Sequence, residues 1–174
     1  MSSNRKICWC ALCAALCVIL PMAFHSFPNG GKIFLPMHIP VLLCGMACGW
    51  PWGLLCGLAG PLLSSLLTGM PPAPMLPGMV VECGVYGACA GILLGLVRTG
   101  RLFEDLYISL TVSMVLGRVI SGVVKALILS PGLSLHSWIM ASFVTGLPGI
   151  VIQLVLLPLL VKLLMKNKVL PERY

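Results

Sequence analysis

The sequence predicts an all-α polytopic membrane protein: six transmembrane helices bundled into a single membrane domain, residues 1–174, with both termini in the cytoplasm. Three observations carry that expectation. Of 174 residues, 59% are hydrophobic and 9% charged, a composition whose natural solvent is a bilayer. The apolar residues fall into runs separated by Pro, Gly and charge, each near the ~20 residues that a helix rising ~1.5 Å per residue needs to cross ~30 Å of hydrocarbon. The cations gather on alternate loops, as membrane topology requires of them.

The first run, 7–26, follows Arg5 and Lys6. It lacks a lipoprotein cleavage box, because large Leu16 precedes Cys17, so it is expected to remain as a first helix. The second, 34–49, is short and holds Pro36 and Pro40; it is expected to tilt, start late or be partly unwound. The third run covers 51–69 and the fourth 77–97, after which Arg98 and Arg101 mark a cytoplasmic turn. The fifth covers 106–130 and the sixth 138–165, with Lys162, Lys166, Lys168 and Arg173 at or after its inner end. Six crossings put eight of the 11 Lys and Arg residues on one side and leave only Lys32 in the opposite loops. The net charge of +7 thus records orientation, and no nucleic-acid partner is expected. The 9 cysteines all lie in or beside apolar runs and read as small core fillers, with no metal, disulfide or cofactor implied.

Small residues recur four apart at Ala11 and Ala15, Gly45 and Gly49, Gly53 and Gly57, and Gly87, Gly91 and Gly95. That spacing places them on one helix face, where backbones approach closely.

Charged and strongly polar side chains within the spans are costly unless paired or facing water, so each is a candidate for function. Glu82, Arg118, Lys125 and Gln153 stand out. Glu82 and Lys125 lie about 8 Å below the outer ends of their helices. Arg118, seven residues before Lys125, shares its face about two turns deeper, and Tyr86 shares the face of Glu82. His25 ends the first span and His38 opens the second, with Asn29 and Lys32 between them. His136, Ser137 and Trp138 begin the sixth, and Ser64, Ser65 and Thr68 end the third. Glu82, Tyr86, His38, Ser64, Thr68, Arg118, Lys125 and Trp138 are therefore expected to line an outward-facing substrate pocket. Two cations against one carboxylate leave a surplus positive charge, which favours an anionic ligand. A structural ion pair between Glu82 and Lys125 or Arg118 is the alternative, as is an interhelical hydrogen bond for Gln153. The loop Thr68-Gly-Met-Pro-Pro-Ala-Pro-Met-Leu-Pro-Gly, with four prolines, is either a stiff lid over this pocket or an ordinary turn.

The segments Phe34-Leu-Pro-Met-His-Ile-Pro-Val-Leu-Leu and Gly60-Pro-Leu-Leu-Ser-Ser-Leu-Leu-Thr-Gly-Met-Pro-Pro, followed by Glu82 to Tyr86 with its glycines, resemble an S component of an energy-coupling factor (ECF) vitamin transporter. The resemblance covers nearly the whole chain and points to the pantothenate and hydroxymethylpyrimidine branch. It implies a substrate-binding subunit of an ABC-type importer in a bacterial plasma membrane. Such a subunit captures a micronutrient outside and delivers it inward with a coupling transmembrane subunit and two ATPase subunits. Ala11-Leu-Cys-Ala-Ala15 matches the family's Ala-x-x-x-Ala docking signature on the first helix. Arg118 with Lys125 suits a pantothenate carboxylate, and Glu82 with Tyr86 a hydroxyl or pyrimidine amine. The sequence has no phosphate-binding Gly-Lys-Ser/Thr motif, so ATP hydrolysis is expected in the partners and no enzymatic activity in this chain. An autonomous secondary carrier or channel is the competing expectation, and an intramembrane enzyme a more distant one.

Overall fold

The computed structural model describes residues 1–24, 30–129 and 134–170, with only the backbone of residues 32, 129 and 135. His25, Asn29 and Arg173 lie outside the described residues, and the described residues are helical throughout apart from turns and short connections. Helix α1 runs Ser3–Ala23, α2 Gly30–Phe34, α3 His38–Cys48, α4 Trp50–Thr68 and α5 Leu76–Leu96. Helix α6, Leu102–Val124, continues into a π-helical turn at Lys125–Leu129. Helix α7, Leu135–Ile139, leads through a second π-helical turn, Met140–Val144, to α8, Leu147–Lys166. Prolines in the first turns of α4, α5 and α8 (Pro51, Pro77 and Pro148) start these helices where no intrahelical N–H partner is needed.

Among the described residues, five stretches are long and apolar enough to cross a membrane: Ser3–Ala23, Trp50–Thr68, Leu76–Leu96, Leu102–Ile128 and His136–Lys166. The second run differs from a plain span. Its helix divides at Leu35, whose backbone is left-handed (φ 50), and α3 starts only at His38. Eleven residues of α3 rise about 16 Å, half the hydrocarbon thickness. Leu35 precedes Pro36, and a residue before proline is pushed out of the helical region.

Helix α5 is central, packed against α3, α4 and α6, while α1 covers α3 and α4. Lipid offers no hydrophobic driving force between helices, so close backbone packing must hold them together. The glycines supply it. A Cβ on Gly87 would collide with the Gly53 carbonyl, and one on Gly53 would lie 2.6 Å from Gly45 Cα. The remaining gaps are filled by small thiols: Cys10, Cys13 and Cys17 form the buried face of α1, and the Cys10 and Cys44 thiols both point at the Trp52 carbonyl, 3.7 and 3.5 Å away. Ala11 and Ala15 lie on the opposite, exposed face of α1.

The fifth run begins four residues earlier than hydropathy drew it, at Leu102. This places Asp105 in the first turn of α6, fully buried, where it accepts hydrogen bonds from the Thr99 backbone N–H at 2.9 Å and hydroxyl at 2.8 Å. Glu82, itself partly buried, is therefore joined by a second acid within the helices, fully buried at the other end of the bundle. Hydropathy missed it because a capped carboxylate reads in sequence like a loop residue.

Candidate functional site

Glu82 lies in the first third of α5, on the face turned toward α3 and α6. A carboxylate removed from water is tolerated when its oxygens are matched by cations and hydrogen-bond donors. Here each oxygen is matched. Oε1 accepts a hydrogen bond from the Tyr86 hydroxyl at 3.2 Å, with His38 Nε2 at 3.6 Å and Arg118 Nε at 4.0 Å. Oε2 faces Lys125 Nζ at 3.5 Å and accepts from the Ser121 hydroxyl at 3.3 Å.

Helical spacing explains the convergence. Tyr86 stands one turn after Glu82 on α5. Arg118, Ser121 and Lys125 recur on one face of α6, so the two cations reach the two oxygens from different levels. Two glycines make the approach possible: the Tyr86 ring occupies the space a side chain on Gly117 would fill, and the stem of Lys125 fills that beside Gly78, one turn before Glu82. His38 is delivered by the late start of α3, and its ring centroid lies 5.0 Å from that of Tyr86.

Arg118 is buried and held on three sides. Its Nε donates to the Tyr86 oxygen at 2.8 Å, its Nη1 to the Ser142 carbonyl, and its guanidinium lies 5.4 Å from the centre of the Phe143 ring. Ser142 and Phe143 belong to the π-helical turn before α8, where the wider backbone pattern leaves carbonyls without their usual helical partner. The same guanidinium borders a cavity of about 140 Å³ between α6 and the last helix, whose walls are Thr111, Met114, Val115, Phe143, Ile150 and Leu154.

The structure therefore brings five of the expected residues together: Glu82, Tyr86, His38, Arg118 and Lys125. The other three make contacts of their own, Trp138 against the same Phe143 ring that Arg118 faces. Ser64 is buried and Thr68 donates to its carbonyl at 2.7 Å, one turn away on α4. Trp138 packs over Gly122 of α6 and edge-on to Phe143, with ring centroids 5.8 Å apart. Ser121, Ser142 and Phe143 are additional contacts. Ser121 was accessible to helical spacing, since it lies between Arg118 and Lys125 on the same face. A backbone carbonyl such as that of Ser142 leaves no trace in side-chain patterns.

The family profile for the ECF transporter substrate-specific component matches residues 5–161. The chain belongs to this family. It is a multi-pass membrane protein and a substrate-binding subunit of a vitamin-uptake transporter of the ECF type. Searches of curated proteins and of solved structures returned no match. In this S component the matched region includes α1 through most of α8, and so every residue of the Glu82 cluster.

Proposed function

We propose that this S component crosses the plasma membrane six times with both ends in the cytoplasm, and captures a small carboxylate micronutrient, pantothenate, from outside. The broken second segment, α2 with α3, supplies the sixth crossing. An even number of crossings sets Arg5 and Lys6 on the same side as Lys162, Lys166 and Lys168, as cytoplasmic flanks require.

The observation that carries the reading is the charge balance around Glu82. Arg118 and Lys125 both approach one carboxylate, and His38 stands against the same oxygen. Among the described residues, one cation is left in surplus over this carboxylate. An acidic ligand completes the set. Lys125 is the more available of the two, with its side chain 30% exposed, so the ligand carboxylate is assigned to Lys125. Glu82 and Tyr86 are assigned to a ligand hydroxyl, and the cavity beside Arg118 receives an apolar part of the ligand.

Release inward depends on a coupling transmembrane subunit and two ATPase subunits. The exposed Ala11 and Ala15 face of α1 is the docking strip, because small residues four apart let another helix approach closely.

The test is equilibrium binding of pantothenate to the purified protein in lipid nanodiscs, with hydroxymethylpyrimidine as competitor and mass spectrometry of small molecules retained through purification. Saturable binding that Lys125→Met weakens tenfold or more supports the assignment. A retained molecule without an acidic group would overturn it.

A further inference from the structure

Gln153 takes no part in the Glu82 cluster, yet it is fully buried in the first half of α8, where an unmatched amide is expensive. Half of it is matched. Its Nε2 donates to the Leu35 carbonyl at 3.3 Å, the same oxygen that accepts the backbone N–H of His38 at 3.1 Å. The other half is open: Gln153 Oε1 has no hydrogen-bond partner among the described residues, and neither has His38 Nδ1, while His38 Nε2 stands 3.6 Å from Glu82 Oε1.

These open atoms belong to one place. Gln153 holds the turn at Leu35, and His38 leaves that turn to meet Glu82. Leu35 itself lies against the cluster from the other side: a methyl group on Gly146 would sit 3.2 Å from Leu35 Cδ1 and 3.5 Å from Arg118 Nη2. Helix α8 is pressed onto α2 at the same level, since a methyl on Gly149 would lie 2.7 Å from the Phe34 carbonyl. Leu35 has the left-handed backbone that non-glycine residues seldom adopt, and strain of this kind persists where surrounding contacts over-determine it.

We propose that Gln153, with His38, forms a second polar subsite that recognises a neutral hydrogen-bond donor, an amide N–H or a hydroxyl, on the ligand whose carboxylate lies at Lys125. Gln153 Oε1 accepts that donor, while the Leu35 carbonyl holds the Nε2 end of the amide. The ligand class is thereby narrowed to small acids with a neutral donor several bonds from the carboxylate. The inference rests on reading the Glu82 cluster as the capture site. It adds Gln153 as a residue that determines specificity.

The experiment measures affinity of the full-length protein in nanodiscs for two probes, pantothenate and its derivative methylated at the amide nitrogen, in wild type, Gln153→Met and Lys125→Met. A site built to hydrogen-bond a donor discriminates strongly against an analogue that lacks it. Wild type is expected to prefer pantothenate by at least about tenfold, and Gln153→Met to reduce that preference to about twofold or less. Lys125→Met should weaken both probes while preserving their ratio. A Gln153→Met protein that keeps the wild-type ratio overturns the subsite; if Lys125→Met still weakens binding, the capture reading survives. Absence of binding by either probe to wild type overturns both. Should Gln153→Met fail to fold, Gln153→Leu, which also removes the acceptor oxygen, provides the second variant, and an unchanged ratio there counts equally against the proposal.

Discussion

Arg118 and Tyr86 are joined by a 2.8 Å hydrogen bond in which the guanidinium Nε donates to the phenol oxygen, and the phenol in turn donates to Glu82 Oε1 at 3.2 Å. The phenol therefore relays between a cation on α6 and an anion on α5 that stand 4.0 Å apart. Truncating the relay separates its polar role from its packing role.

Tyr86→Phe keeps the ring in the space beside Gly117 and removes only the hydroxyl. Arg118 Nε then loses its partner in a buried site, at a cost of about 2 kcal/mol, the range for hydrogen bonds to charged groups. The expected outcome is a lowered thermal midpoint in detergent and weaker ligand binding. A midpoint and affinity equal to wild type would show that the relay contributes nothing.

Glu82→Gln leaves Arg118 and Lys125 without a counter-charge. Breaking a buried pair by removing one partner destabilises by roughly 3–5 kcal/mol where both groups are dry, and Lys125, being partly exposed, lowers the figure toward the bottom of that range. The double variant Glu82→Gln/Lys125→Met should recover part of the loss. Stability measured by denaturant titration of all three proteins gives the coupling directly, and purely additive losses would argue against the pairing.

The cluster shows what the sequence could and could not reveal. The seven-residue spacing of Arg118 and Lys125 and the four-residue spacing of Glu82 and Tyr86 place each pair on one helix face, and the structure has all four in one network. Ser64, Thr68 and Trp138 share with these four only an expected depth in the membrane. Depth fixes a level and leaves the direction around the helix open: the Thr68 hydroxyl donates to the Ser64 backbone carbonyl within α4, and Trp138 packs against Gly122. The proline pair at Pro36 and Pro40 signalled a disturbed second segment. Its consequence, a left-handed Leu35 whose carbonyl is shared by His38 and Gln153, depends on contacts 118 residues apart that no local pattern encodes.

Glycine substitutions should divide sharply by environment. Gly87→Val places a branched side chain against the Gly53 backbone, which cannot yield as a flexible side chain would, and is expected to cost about 3 kcal/mol or to prevent folding. Gly95 has nothing within 4 Å of an added Cβ, so Gly95→Ala should be neutral or stabilising by up to about 1 kcal/mol through helix propensity. Thermal midpoints of the two purified variants check this contrast, and equal losses would contradict the packing described for α3, α4 and α5.

Ala15→Trp adds a bulky ring to the exposed face of α1, opposite the buried Cys13 and Cys17. Co-purification with the coupling transmembrane subunit should be lost while ligand binding is retained. Loss of both would indicate a folding defect, and retention of both would remove this face from the docking surface.

The most direct measurement is uptake of labelled pantothenate into vesicles holding this chain either alone or with a coupling transmembrane subunit and two ATPase subunits. Uptake is expected only in the complete assembly with ATP. Accumulation by the chain alone, driven by a proton or sodium gradient, would contradict the account.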